Sequence, residues 1–204
     1  CSGADAARAL TEQLHEQAEE LKKNGTEPCL AILRVGGRGY TVGAIYDDTK
    51  FDEYADGAAR AGLQVGAYFF SQAVSVAEAQ EEAYHVLDKL RGHNITGPVV
   101  FDWEVIGKSE ARTYGIETGV LCAAANAFCE IIEDAGYDAM IYITDYAGYV
   151  KYDLSKVMDY PLWYARYDVS APAFYYDFAM GQYSSKGSVD GIKGNVDMDI
   201  WFIK

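Results

Sequence analysis

"GPVVFDWEVIG", residues 97–107, decides how the rest of the chain is read. Pro98 to Phe101 form a short apolar run bounded by glycine, the mark of a buried strand. The run ends on two carboxylates, Asp102 and Glu104, two positions apart. Side chains at that spacing leave the same face of a strand. A chain that buries a strand and then directs two acids to one side has placed charge where a core would otherwise continue.

The same alternation extends in both directions. Upstream lie a helical pattern over 5–23, a strand in "CLAILRV" (29–35), a loop in "GGRG", a helix in "DDTKFDEYADGAARAGL" and a strand in "VGAYFF". "SVAEAQEEAYHVLDKLRG" is predicted to be a helix, with Ser75 as its cap and Glu78 at the capping-box spacing. Downstream come a long helix over 110–135, a strand in "AMIYIT", a helix or turn around 145–158, and strands in "PLWYARY", "FAMGQYS" and "VDMDIWF". Apolar strands alternating with amphipathic helices predict parallel strands buried on both faces. The economical architecture is a TIM-like (β/α) barrel, formed as a single domain over 1–204. Seven strands are recognisable, beginning at residues 29, 65, 98, 139, 161, 178 and 197, and a helix precedes them. A closed barrel of this kind has eight. Strands at 29 and 197 would flank the vacant slot, so the expectation is either a seven-strand closed or gapped barrel, or a homodimer that covers the open edges.

Composition narrows the partners. Thirty-one acidic residues against seventeen basic ones give a net charge of −14. With no basic stripe, nucleic acid is not an expected partner. No apolar run approaches the ~18 residues of a membrane span, and no basic-then-apolar leader opens the sequence. Cys122 and Cys129 stand seven apart on the predicted long helix, about two turns, which is too far for an easy disulfide. They read as buried thiols. Cys1, Cys29 and the scattered His15, His85 and His93 form no zinc pattern, and no GxGxxG follows a strand.

In barrels of this type, reactive groups stand at the C-terminal ends of strands. Two ionised carboxylates facing one cavity repel, so one is expected to hold its proton, and Glu104 is the expected holder. A protonated acid beside an ionised one suits glycosidic cleavage: a proton for the leaving oxygen, and negative charge for an oxocarbenium-like centre. Asp197 and Asp199 repeat the arrangement in "NVDMDIWF". Tyr68, Trp103, Tyr142, Trp163, Tyr164, Tyr167 and Tyr183 fall on or just after strands, where rings can stack on sugar faces. The alternatives are that the acids cap helices or pair with Arg34, Arg112 or Arg166, and that the tyrosines fill barrel layers.

In family order, "AILRVGGRGY", "FDEYADGAARAGLQVGAYFFSQA", "GPVVFDWE", "AGYDAMIYI", "YPLWYARY" and "QYSSKGSVDGIKGNVDMDI" resemble the glycoside hydrolase family 25 lysozymes over about residues 30–203. The resemblance implies a (β/α) barrel that hydrolyses the β-1,4 bond between N-acetylmuramic acid and N-acetylglucosamine of peptidoglycan. It implies a secreted or wall-directed location, and neither metal nor organic cofactor. It makes Glu104 the general acid and gives Asp102 a role in stabilising charge or orienting the acetamido group. Asp197, in a V-D motif with Val196, joins as a third catalytic carboxylate. Tyr68, Tyr142, Trp163, Tyr164, Arg166, Tyr183 and Asp199 become candidate substrate-binding residues. Two departures fall on the cleft. No G-I-D-V-S strand precedes residue 29, and Gly181 stands in "MGQY" where the family usually has Trp. The first 36 residues are instead similar to the opening helix and strand of methylenetetrahydrofolate dehydrogenase/cyclohydrolases, which suggests a chimera. The leading expectation is a muramidase of reduced activity; the competing one is an inactive saccharide-binding or structural protein on the same scaffold.

Overall fold

The structure, a computed structural model, describes residues 29–169, 173–188 and 193–202. The helix expected over 5–23, and with it most of the segment similar to the folate enzymes, lies outside the described residues. The chain divides into two compact units, Pro28–Pro161 and one that includes Leu162–Lys204.

The first unit runs β1 (Leu30–Arg38), β2 (Ile45–Asp47), α1 (Phe51–Arg60), β3 (Gln64–Ser71), α2 (Val76–Leu90), β4 (Val99–Trp103), α3 (Thr118–Asp134) and β5 (Ala139–Thr144). A π-helical turn (Ala147–Lys151) and a 3-10 turn (Leu154–Lys156) close it. Within this unit the strand order is β2-β1-β3-β4-β5. β1, β3, β4 and β5 are parallel, as the alternating pattern predicts. Val99, Val100 and Phe101 are each fully buried, and each such side chain stabilises the fold by about 1.5–3 kcal/mol. The strand faces are distinguished by their neighbours. Phe69 meets His85 of α2 at 6.0 Å and Phe101 meets Phe128 of α3 at 5.3 Å, so the odd positions face helices. Tyr68, Phe70 and Asp102 take the opposite face.

α2 begins as the capping pattern predicts. Ser75 Oγ accepts the Glu78 N–H at 3.2 Å. The Glu78 carboxylate reaches back one residue further than the motif requires, to the Val74 N–H at 2.8 Å. α3 is shorter than expected: 105–117 is turn and coil, and the helix starts at Thr118. Its Cys122 and Cys129 are buried free thiols.

Two further differences have a common cause. "GGRG" was expected to be a loop, yet Gly36, Gly37 and Arg38 continue β1 and pair antiparallel with Asp47, Tyr46 and Ile45. A Cβ on Gly36 would lie 2.2 Å from the Tyr46 carbonyl oxygen. The glycine is therefore required by the close strand contact rather than by a turn. β2 itself is three residues long with no buried side chain, so it carries no apolar period to read. It pairs only with the end of β1. Among the described residues, Leu30–Val35 of β1 have no further strand on that side.

The second unit contains β6 (Leu162–Ala165), β7 (Met180–Gly187) and β8 (Val196–Trp201). β6 and β7 are parallel. β7 and β8 are antiparallel, with two register shifts. Residues 188–195 are too few for the crossover of about a dozen residues that a parallel return needs. The described strands thus number eight rather than seven, and β2 and β8 depart from the all-parallel expectation. The fold is mixed α/β. No helix among the described residues is long and apolar enough to cross a membrane.

Candidate active site

Asp102 lies in the last register of β4 that pairs on both sides. Phe70 of β3 and Tyr142 of β5 stand level with it. Two residues back, Arg34, Tyr68 and Val100 are level across β1, β3 and β4. In-register neighbours share a face, so Arg34, Tyr68, Phe70, Asp102 and Tyr142 lie on one side of this unit's sheet. Glu104, two residues beyond Asp102, follows the end of the strand, close enough for its charge to act on Asp102.

Asp102 is only 6% exposed, and its Oδ1 finds no hydrogen-bond partner among the described residues. Burial pushes its carboxyl well above the usual carboxylate range. The negative charge of Glu104 pushes further, and the Arg34 guanidinium opposes both. Glu104, the first residue beyond β4, is half-buried. Two of the arginines considered as structural partners pair elsewhere: Arg34 with Asp48 at 2.8 Å and Arg112 with Glu78 at 2.6 Å. Trp103 points away from the acids. It is 1% exposed and meets Tyr152 edge-on at 6.2 Å, so it is a core residue.

In the second unit, Trp163 Nε1 donates to Asp199 Oδ1 at 2.7 Å. Gln182 stands level with Asp199 across β7 and β8 and accepts from the Tyr167 hydroxyl. Desolvation raises the Asp199 carboxyl; the Trp163 hydrogen bond lowers it and the Asp197 charge raises it. Asp197 is raised by desolvation too, although both residues keep exposed surface. Tyr164 is buried and stacks on Phe174 at 4.4 Å. Arg166 is exposed and donates its backbone N–H to Gln182. Tyr183 is half-buried on β7. Gly181 pairs with Tyr164, on the face opposite Trp163 and Asp199. A Cβ there would meet Phe178 at 3.3 Å and Phe202 at 3.7 Å. The space expected to be missing a large ring is already lined by two.

The sequence reading missed Gln72. Its side-chain amide is buried and donates to the backbone carbonyl of Glu104 at 3.2 Å. The only available signal was a polar residue at the end of an apolar strand. A groove of about 380 Å³ lies beyond β4, lined by Trp103, Val105, Lys108, Tyr114 and Tyr146 among others. It includes none of the candidate carboxylates. No group of three or more His, Cys, Asp or Glu side chains able to hold a metal ion occurs among the described residues.

Residues 39–192 match the family model described as glycosyl hydrolases family 25. The chain belongs to glycosyl hydrolase family 25. The family match includes Tyr68, Asp102, Glu104, Tyr142, Trp163, Tyr164, Arg166 and Tyr183, and it stops short of Asp197 and Asp199. A curated relative, the autolytic lysozyme of Clostridium acetobutylicum, is 32% identical over 160 residues, covering 78% of this chain and 46% of the relative. The chain thus spans about half the length of that relative. The spore cortex lytic enzyme SleM of Clostridium perfringens superposes with a TM-score of 0.70 at 25% identity, covering 88% of this chain and 61% of that one. The modular autolysin LytC of Streptococcus pneumoniae, in complex with a synthetic peptidoglycan ligand, superposes at 0.72 over 89% of this chain and 42% of its own. At 22% identity that last likeness shows the family 25 fold alone.

Proposed function

We propose that this chain is an N-acetylmuramidase, acting outside the cell or on its wall, that hydrolyses the β-1,4 bond between N-acetylmuramic acid and N-acetylglucosamine in peptidoglycan. The observation that carries the reading is the pair Asp102 and Glu104 at the end of β4, where the Glu104 charge acts on Asp102, in a chain whose residues 39–192 match family 25. The names of the autolytic lysozyme and the spore cortex lytic enzyme support it.

Glu104 is the general acid. It is the member of the pair that keeps exposed surface, so a glycosidic oxygen can reach it. The two carboxyls titrate as a coupled pair, and before substrate arrives burial favours the proton on Asp102. Substrate that excludes water from Glu104 raises its pKa in turn. With the pair's proton on Glu104 and Asp102 ionised, Glu104 protonates the leaving oxygen as the C1–O bond breaks; water then adds at C1 and returns its proton to Glu104. Asp102 stabilises the developing positive charge or orients the acetamido group. Asp197 is assigned to the same reaction by its V-D motif. Tyr68 and Tyr142, on the face of Asp102, bind saccharide; Trp163, Arg166, Tyr183 and Asp199 are assigned the same role. Tyr164, assigned to saccharide binding with them, is buried and stacks on Phe174.

The family resemblance implies an opening G-I-D-V-S strand whose aspartate joins the site, and no such motif stands among residues 1–29. Losing one such group costs on the order of 10²–10³-fold in rate, so the reading includes reduced activity. The same observation favours a second reading, a saccharide-binding protein without catalysis. Release of reducing ends from purified peptidoglycan separates the two. Release that Glu104→Gln abolishes supports the enzyme. Equal rates, or none from either protein while both still sediment with peptidoglycan, support the binder. Self-association through the Leu30–Val35 edge of β1 belongs to the proposal as well, and a monomeric mass by light scattering would remove it.

A further inference from the structure

Glu104 stands outside the sheet that carries it. The β3–β4 ladder ends at Ser71 and Trp103, and the β4–β5 ladder ends at Asp102 and Tyr142. Strand pairing therefore does not hold the backbone of residue 104. Its carbonyl is met instead by Gln72 Nε2 at 3.2 Å. The same nitrogen donates to the Ser71 carbonyl at 2.9 Å, and the amide oxygen accepts the Thr113 hydroxyl at 2.7 Å. One side-chain amide thus joins the end of β3, the end of β4 and the 105–117 segment.

That amide is itself anchored. The Glu82 carboxylate, fully buried, accepts from Ser71 Oγ at 2.6 Å, from Arg38 Nε at 2.6 Å, and from the backbone N–H of Gln72. Arg38 continues to Glu81 at 2.7 Å and to the carbonyl of Gly43 at 2.8 Å. Arg112 donates to the Gln72 carbonyl at 3.2 Å and to Glu78 at 2.6 Å. Gln72 has no exposed surface and Thr113 has 4%. A methionine would fill the volume of Gln72 without a polar group to satisfy, and buried amides are costly unless every function is paired. Here the oxygen is paired and the nitrogen makes two hydrogen bonds. The arrangement orients; packing alone does not require it.

We propose that Gln72 is a positioning residue for Glu104. Its amide, aimed by Thr113, fixes the Glu104 backbone just beyond β4 and so sets the placement of the Glu104 carboxyl relative to Asp102. The inference rests on the reading of Glu104 as the proton donor. It matters because a shift of about 1 Å in a reacting group can cost ~10²-fold in rate.

The test compares Gln72→Met, Thr113→Val and Thr113→Ser with the unaltered chain and with Glu104→Gln, as folded protein at matched concentration. Reducing-end release from purified peptidoglycan gives kcat and apparent KM, and carbon NMR of labelled carboxyls follows the Asp102–Glu104 titration. Gln72→Met is expected to lower kcat by about 10- to 100-fold with KM changed less than about threefold, and to displace the pair's titration. Thr113→Val is expected to act in the same direction more weakly, and Thr113→Ser, which keeps the hydroxyl, to restore the original values. Folded Gln72→Met with kcat within twofold of the original and an unmoved titration overturns the proposal, as does a loss confined to KM. Where Gln72→Met does not fold, Thr113→Ser performing no better than Thr113→Val overturns it. Glu104→Gln as fast as the unaltered chain, or both without activity, is a failure of the catalytic reading. The titration then decides the placement alone, and an unmoved one overturns that too.

Discussion

Asp102→Asn separates the electrostatic cost of this site from its function. Asp102 has 6% exposure, an Oδ1 without a partner among the described residues, and the Glu104 charge acting on it. Each favours the neutral acid in the folded chain. The unfolded chain ionises Asp102 near ~3.9. Between that value and the raised folded value the native state binds the extra proton, so stability falls as pH rises, by up to about 1.4 kcal/mol per pH unit. Below ~3.9 both states are protonated and the effect vanishes. Above the folded pKa the loss is complete. Asparagine is neutral throughout and of nearly the same volume, though its amide must find partners at a cost of about 1–3 kcal/mol.

Urea denaturation in half-unit steps from pH 3.5 to 8 is the assay. At the acid end Asp102→Asn is expected to match the unaltered chain or fall below it by that amide cost. Its relative stability then climbs along the stated slope as pH rises, while its catalytic rate is lost. Glu82, raised by burial to about 7, and Asp199, raised likewise, tilt both curves alike, so the difference isolates position 102. In a Glu104→Gln background the climb is expected to end at lower pH, because one of the causes of the raised pKa has gone. A stability difference that stays flat from pH 3.5 to 8 would refute the reasoning, since Asp102 would then titrate alike in both states.

Three further outcomes follow from named contacts. Arg38→Ala leaves the buried Glu82 without its cation, and it is expected to cost up to about 3–5 kcal/mol by denaturation at pH 9, above the value of about 7 to which burial raises Glu82, and less at pH 6; Glu82→Gln, which removes the charge, is expected to cost clearly less at pH 9, and equal losses there count against a buried ion pair. Trp163→Phe removes the hydrogen bond that lowers the Asp199 pKa, so carbon NMR is expected to show Asp199 titrating higher, and an unchanged or lower midpoint contradicts the contact. Gly181→Trp adds an indole where a Cβ already meets Phe178 at 3.3 Å; overpacking of about 1–3 kcal/mol is expected as a lower melting temperature, with no gain in peptidoglycan release.

The strands were legible as short apolar runs bounded by glycine or turn residues, and the acidic pair by its place at the end of one of them. Val99 to Phe101 are buried as their composition demands, with Asp102 still in that strand and Glu104 just after it. β2 was not legible: three residues without a buried side chain carry no hydrophobic signal. The antiparallel β8 could have been read from chain length, since residues 188–195 cannot span a helical crossover. The raised carboxyl of Asp102 was beyond the sequence, because it depends on how deeply the folded chain encloses that side chain.

Parity also sorts the aromatic residues, more sharply than proximity to the acids does. Trp103 lies between Asp102 and Glu104 in the chain, and for that reason it faces Tyr152 on the other side of the strand. Trp163 and Tyr164 are adjacent and must part in the same way: one donates to Asp199, the other stacks on Phe174. Gly181, paired with Tyr164, goes with the core side, so the loss of a ring there is a change in packing under Phe178 and Phe202 before it is a change in any saccharide surface. Tyr68 and Tyr142, by contrast, share the acids' face through Val100 and Asp102. A one-residue slip of β4 would exchange the carboxylates for Trp103 and bury neither acid usefully. The fully buried contact of Phe101 with Phe128 opposes that slip, and in holding the register of the strand it holds the chemistry at its end.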